Sequence, residues 1–319
     1  MKEQFTRRRA LLAGGAGLAA LTTGGLWLAT RDTGAPSHAA WREPATDPSP
    51  TLSPAGSPTP ESTAAPRTIP AQPGPPGIEH ADLLESGDAS ALVKVNTSAW
   101  YSWALMNRQT GTIVGSKNWN QTNMTASMIK AWLAADYLRR AAENGQQPSA
   151  ARMNEIKTMI RDSANGPAST LWAELGKSQT IARMISICRL TDSKAGDGWS
   201  TTRLSARDTC RIAHAIGTGA AAGPAWTNYL INEMRAVRGT GNFGIRRAFP
   251  SGEQSRIAIK NGWVDRQATQ EWNVNCMALG DTWTMAVLTR FRYTGPDWSP
   301  GAAIAKSVAT QLRSRTNLI

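Results

Sequence analysis

Histidine is close to absent from this chain: three occur in 319 residues, and only His214 lies beyond residue 80. That shortage excludes histidine-rich zinc sites, and no HExxH pair is present. A Ser-His-Asp triad would have to rest on His214 alone. It sits in the apolar run Arg211-Ile212-Ala213-His214-Ala215-Ile216, with no GxSxG turn in the chain, and reads as a helix-face histidine rather than a base. Cysteine is equally scarce, and Cys188, Cys210 and Cys276 match no metal-site spacing. In an oxidising compartment they permit one disulfide, expected between Cys188 and Cys210, with one thiol left over. Neither a metal nor a cofactor is therefore expected.

Acid is also in short supply. Residues 86 to 319 carry 28 basic and 15 acidic side chains, a formal +13 within a chain of +12 overall. No basic cluster interleaved with aromatics accompanies the excess, which argues against nucleic acid. Anionic cell-envelope polymers and carboxylate-bearing peptides are the partners such a charge suits, and most of the Lys and Arg residues read as solvated helix faces. The domain is expected to act as a monomer.

Apart from an uncharged Gly- and Ala-rich run from Ala10 to Thr30, no segment is long and apolar enough to cross a membrane. Thr6-Arg7-Arg8-Arg9 precedes that run and Ser37-His38-Ala39 offers a small-x-small cleavage site. Residues 1–39 thus read as an export signal of the twin-arginine type, cleaved or loosely anchoring, so the protein is expected to be secreted or associated with the cell envelope. Residues 40–87 are crowded with Pro, Ser and Thr and read as an extended linker. The remainder, 88–319, suits one domain with a substantial core.

Within that domain, Trp100 to Met106 and Thr112 to Ser116 read as a β-hairpin around a turn at Asn107 to Gly111. Helical periodicity runs from Ser127 to near Gly145, again through Met153, Ile156, Met159 and Ile160, and from Gly166-Pro167 to Leu175. A loop from Thr191 to Thr202 follows. Ser205-Ala206-Arg207-Asp208 resembles a capping box opening a helix to about Ile216, and Pro224 opens another that Gly239 ends. Arg256 to Val264, Glu271 to Ala278 and Trp283 to Tyr293 read as strands, and Ala302 to Arg313 as a helix. Strands at both ends with helices between imply an α+β fold, an antiparallel sheet built from the two termini around an inserted helical region.

Three short sets carry the chemistry, in this order: Ser127-Met128-Ile129-Lys130, Ser163-Ala164-Asn165 and Lys260-Asn261-Gly262. SxxK puts a hydroxyl and an amine one helical turn apart on one face, so the amine can take the hydroxyl proton. Lys130 serves as a base only if its pKa falls well below the ordinary amine value, through burial and a second cation such as Lys260. Ser163 can pass a proton to a leaving nitrogen, and Asn165 can orient the substrate amide and Lys130. Lys260 can hold a substrate carboxylate or steady developing charge. Gly262 lets a substrate lie against a strand edge. Each set has a plainer reading: a helix cap with a solvated lysine, an inter-helix turn, and, for Asn261-Gly262, a hairpin turn. SxN also occurs at Ser116-Lys117-Asn118 and KxG at Lys194-Ala195-Gly196. Order and context select the functional sets.

These motifs resemble SxxK, SxN and K[TS]G of the serine β-lactamase and penicillin-binding protein superfamily, over about Ser98 to Arg313. The segment Gly244 to Pro250 and the strand from Trp283 to Arg290 add to the likeness. The resemblance implies a five-stranded antiparallel sheet flanked by helices, an acyl-enzyme on Ser127, and an oxyanion hole from the backbone N–H groups of Ser127 and Trp263. Two features depart from it. Asn261 stands where the family usually has a Thr or Ser that contacts a substrate carboxylate. The stretch Leu190 to Leu204 contains Asp192 and Asp197 but no glutamate, whereas class A β-lactamases carry there a glutamate that activates the deacylating water. The short interval from Ser127 to Ser163 implies a reduced helical region. Three functions fit: a serine hydrolase of β-lactamase type acting on β-lactams, a D,D-peptidase-like penicillin-binding protein acting on D-Ala-terminated cell-wall peptides, and a non-catalytic envelope-binding domain.

Overall fold

The strand-like runs near the end of the chain bury Asn273, Asn275, Thr284 and Thr289 as deeply as their apolar residues, as strands covered on both faces do. The computed structural model describes residues 87–319, so the export signal expected over 1–39 and the linker expected over 40–87, Gly87 excepted, lie outside it. In chain order the strands are β1 (Trp100–Asn107), β2 (Ile113–Gly115), β3 (Thr122–Met124), β4 (Arg203–Ser205), β5 (Ala258–Arg266), β6 (Glu271–Leu279) and β7 (Trp283–Arg292). Five of them form one sheet in the order β2-β1-β7-β6-β5, with every neighbouring pair antiparallel. The first strand thus pairs with the last, as expected. β3 and β4 form a separate two-stranded ribbon that the sequence reading did not foresee.

The helices are α1 (Lys130–Glu143), α2 (Ala150–Arg161), α3 (Asn165–Glu174), α4 (Ser178–Ile187), α5 (Ala206–Thr218), α6 (Thr227–Arg235), α7 (Ser251–Gln254) and α8 (Ser299–Arg315). All but α8 lie between β2 and the end of β5, where an inserted helical region was expected. Two helices, α1 and α2, fill the interval between the first two motifs. α4 lies in a stretch to which the sequence reading assigned no element.

Strand parity shows how the sheet is covered. Thr284 Oγ1 donates to the Cys210 carbonyl of α5 at 3.0 Å, whereas a Cβ on Gly301 of α8 would lie 2.6 Å from Thr289 Oγ1. Residues an odd number apart on one strand face opposite ways, so α5 and α8 clasp the sheet from its two sides.

The cysteines depart from expectation. All three are free and buried. Cys210 points into the sheet, 3.3 Å from the Ala104 carbonyl, while Cys188 ends α4. The expected Cys188–Cys210 bridge is therefore not formed. Burial pushes each thiol up to about 12, which keeps all three protonated.

The N-terminus of α5 fixes the loop that precedes it. Ser205 caps the helix, its hydroxyl accepting from the Asp208 N–H at 3.0 Å. Asp208 does not reach back to complete a capping box. Its buried carboxylate accepts from Thr191 N at 3.1 Å, Asp192 N at 2.8 Å and Ser193 Oγ at 2.7 Å, and pairs with Arg211 at 3.1 Å. One carboxylate thereby pins the start of the 190–204 loop. Asp208→Ala strands these donors, and the loss expected is about 1–3 kcal/mol. A melting temperature lowered by several degrees and faster tryptic cleavage after Lys194 would bear this out; unchanged melting and cleavage would contradict it.

Candidate active site

The first motif does not begin inside an α-helix. Ala126–Ile129 form a turn of 3-10 helix, and α1 proper starts at Lys130. Ala126 takes the left-handed conformation, φ +49°. Two contacts hold this turn. The Thr125 N–H donates to the Thr202 carbonyl at 2.9 Å, and β5 presses against the turn at Gly262. A Cβ at Gly262 would lie 2.4 Å from the Thr125 carbonyl oxygen and 2.7 Å from the Ser127 nitrogen. Gly262 is therefore required by the chain itself: the glycine lets the strand approach the serine turn. Its neighbours are no hairpin turn, because Lys260, Asn261 and Gly262 lie within β5, the outer strand of the sheet.

Lys130 and Lys260 are both fully buried, which is rare for lysine. Lys130 Nζ donates to the Ser163 carbonyl at 2.6 Å and to Asn165 Oδ1 at 2.7 Å. Ser163, joining α2 to α3, holds a left-handed φ of +59°, a conformation costly for serine and often found at functional sites. Lys260 Nζ donates to Ser163 Oγ and, at 3.1 Å, to the Asn261 carbonyl. The three motifs are thus brought together by hydrogen bonds. Ser127, 9% exposed, makes no side-chain hydrogen bond among the described residues.

Electrostatics at the two amines follow from what surrounds them. Among the described residues, neither forms an ion pair with Asp or Glu. Burial lowers Lys130 to about 7. Lys260 is also held well below the ordinary amine value, by burial first and by the Lys130 charge second. The second cation was expected to depress the base; the like-charge effect is felt instead at Lys260. A neutral amine has two N–H bonds and one lone pair. Lys130 has two acceptors for the N–H bonds, which leaves the lone pair available for a proton.

Trp199, which sequence reasoning missed, completes the surroundings. Its ring centroid lies 4.7 Å from Lys130 Nζ, its Nε1 donates to Ser169 Oγ at 3.2 Å, and its carbonyl accepts from Thr125 Oγ1 at 3.4 Å. The neighbouring Ser200 carbonyl accepts from Arg266 Nη2 of β5 at 2.6 Å. The 190–204 loop thus brings an indole rather than a carboxylate to the lysine. A tryptophan in a loop of Gly, Ser and Thr was the available signal.

One predicted position, Asn261, differs from expectation. Asn261 was read as replacing a hydroxyl that contacts substrate. Its side chain is buried and donates to the Gly241 and Phe243 carbonyls at 3.0 and 2.9 Å, fastening the preceding segment to β5. Trp263 is half-buried in an aromatic group with Phe243 and Trp298, at centroid separations of 5.6 and 5.7 Å. His214 lies on α5 and touches none of the motif residues.

No family model matches the chain. Among curated proteins, "Putative lipoprotein LppW" of Mycobacterium tuberculosis and its counterpart in Mycobacterium bovis are 27% identical over 172 residues, 52% of this chain and 54% of theirs. The chain thus spans about half the length of the curated relatives it matches. Solved structures are similar over more of the chain. The extended-spectrum β-lactamase TLA-1 aligns with TM-score 0.59 at 14% identity, covering 73% of this chain and 98% of that one. A β-lactamase from Sphaerobacter thermophilus aligns with TM-score 0.55 at 16% identity, covering 75% and 97%, and PBP-A with TM-score 0.56 at 15%, covering 76% and 98%. The fold is that of the serine β-lactamases and penicillin-binding proteins.

The packing of β5 on the serine turn leaves room only for glycine at 262, whereas Gly252 on α7 is unconstrained. Gly262→Ala drives a Cβ into backbone, so an overpacking loss of roughly 1–3 kcal/mol is expected. Gly252→Ala, with nothing within 4 Å of its Cβ, is expected to be neutral. Thermal unfolding of the pair checks this; equal melting temperatures would contradict the close approach.

Proposed function

We propose that the chain is a serine acyl-transfer enzyme that forms an acyl-enzyme on Ser127 with β-lactams or related amides and releases it slowly. The observation that carries this reading is the buried Lys130 amine, without a carboxylate partner, one helical turn from Ser127. Ser127 Oγ attacks the carbonyl carbon while its proton passes to Lys130 Nζ. As the tetrahedral species collapses, the C–N bond breaks and Ser163 gives its hydroxyl proton to the leaving nitrogen, and the proton that Lys130 took from Ser127 replaces it. Lys130 thus begins and ends neutral, and the Ser127 proton ends on the leaving nitrogen. The backbone N–H groups of Ser127 and Trp263 steady the oxyanion, and Asn165 orients the amide. Lys260 and the edge of β5 at Gly262 receive the substrate; Asn261 acts only by holding the strand.

Slow release follows from the 190–204 loop. Water needs a base to attack the acyl-enzyme, and this loop sets Trp199 beside Lys130 where a class A enzyme has a glutamate. The same feature favours, as a second reading, a D,D-peptidase-like protein of the cell wall, whose acyl-enzyme with β-lactams persists. A relative named as a lipoprotein and the basic charge of the domain support a place at the cell envelope; among the described residues no helix is long and apolar enough to cross a membrane.

Purified protein incubated with a fluorescent penicillin is expected to become covalently labelled, Ser127→Ala to remain unlabelled, and a chromogenic cephalosporin to be turned over slowly. Rapid Ser127-dependent turnover would overthrow the slow-release reading, and equal behaviour of wild type and Ser127→Ala would overthrow the catalytic one. Since the base must be unprotonated, the acylation rate is expected to rise with pH up to about 7 and then level. A rate still climbing at pH 10 would mean that the base keeps an ordinary amine pKa.

A further inference from the structure

A second concave site lies apart from the lysine pair, between the β1–β2 hairpin, the end of α4 and the outer side of α5. It is a cavity of about 610 Å³ and shares no residue with the candidate active site. That volume is ample for a small-molecule ligand. Its apolar part comes from Met106, Ile113, Trp119 and Ile187. Its polar part is of one sign: Arg189, Arg207 and Arg211 line it with His214, and none of the thirteen lining residues is acidic.

The arginines are only partly occupied. Arg207 uses Nε and Nη2 on Asp192 and Thr191, while its guanidinium lies 5.1 Å from the Trp119 ring centroid. Arg211 uses Nη1 alone, on Asp208, Thr191 and the Arg189 carbonyl. Among the described residues, the remaining N–H groups of both, and the whole guanidinium of Arg189, make no hydrogen bond. His214 Nδ1 is likewise buried without a partner. Unused cationic donors beside an apolar and aromatic wall match one kind of molecule.

We propose that this cavity binds small amphipathic anions, molecules with an alkyl or aromatic body and a single carboxylate or phosphate head. The head sits among Arg189, Arg207 and Arg211, and the body lies against Trp119, Ile113 and Met106. The site is independent of the reading given to Ser127.

Full-length protein titrated with decanoate, decyl phosphate, decanol and decyltrimethylammonium, read by displacement of anilinonaphthalene sulfonate, tests this. One or both anions are expected to bind at least about tenfold more tightly than the neutral and cationic compounds, a difference of about 1.4 kcal/mol. Decanoate alone, or decyl phosphate alone, identifies the head group; both outcomes support the site. Arg189→Glu is expected to weaken anion binding about tenfold or more by reversing a charge at the head. Thr218→Trp, an exposed lining position, is expected to weaken binding of every compound by filling the cavity. Equal affinity for all four compounds, or anion binding unchanged in both variants while they melt as the wild type does, would overturn the proposal.

Discussion

The amine of Lys130, buried with no carboxylate to neutralise it, is the constraint around which the rest of this structure is arranged. A charged ammonium taken from water without a partner is costly, and the cheaper state is the neutral amine. Neutrality turns a lysine into a base. It also imposes a geometry, because the two remaining N–H bonds must be satisfied. The Ser163 carbonyl and Asn165 Oδ1 satisfy them, and the left-handed backbone at Ser163 allows residues 163 to 165 to present both acceptors. Lys260, threaded in from β5, bonds to Ser163 and so draws the third motif into the same cluster. The sheet contributes by bringing β5 close enough to the serine turn that only glycine fits at 262.

Much of this was legible in the sequence, for identifiable reasons. The sheet could be read from both ends because its strands are short runs rich in aromatic and other apolar residues between turn residues, and most of the helices because apolar residues recur at helical spacing. The chemistry was legible because SxxK, SxN and KxG are short-range patterns whose order carries the information. What escaped were properties of faces and of distant contact. Strand alternation puts Asn261 opposite Lys260 and Gly262, so its amide holds the chain rather than a ligand. Cys188 and Cys210 were expected to pair, yet α5 turns Cys210 into the sheet. Trp199 meets Lys130 only because Asp208, Thr125 and Arg266 fix its loop, a set of contacts that no local pattern announces.

Fold and chemistry carry different weight here. Similarity to β-lactamases and to PBP-A at 14–16% identity establishes the architecture, and that architecture houses both hydrolysis and durable acylation. The choice between them rests on the site. In the proposed reaction an indole rather than a carboxylate stands beside the lysine, so the amine has no ion-pair partner to hold its proton. The indole offers no base to a water, which disfavours breaking the acyl-enzyme. One residue thus argues in the same direction for both halves of the reaction.

The central claim is that a large fraction of Lys130 is uncharged at neutral pH, and it can be measured without any substrate. NMR titration of the side-chain amines, with Lys130 assigned by comparison with Lys130→Arg, follows the protonation of this one group directly. The expected midpoint is near 7, far below the ordinary amine value. A midpoint at that ordinary value of about 10.4 would contradict the claim and remove the base from the mechanism.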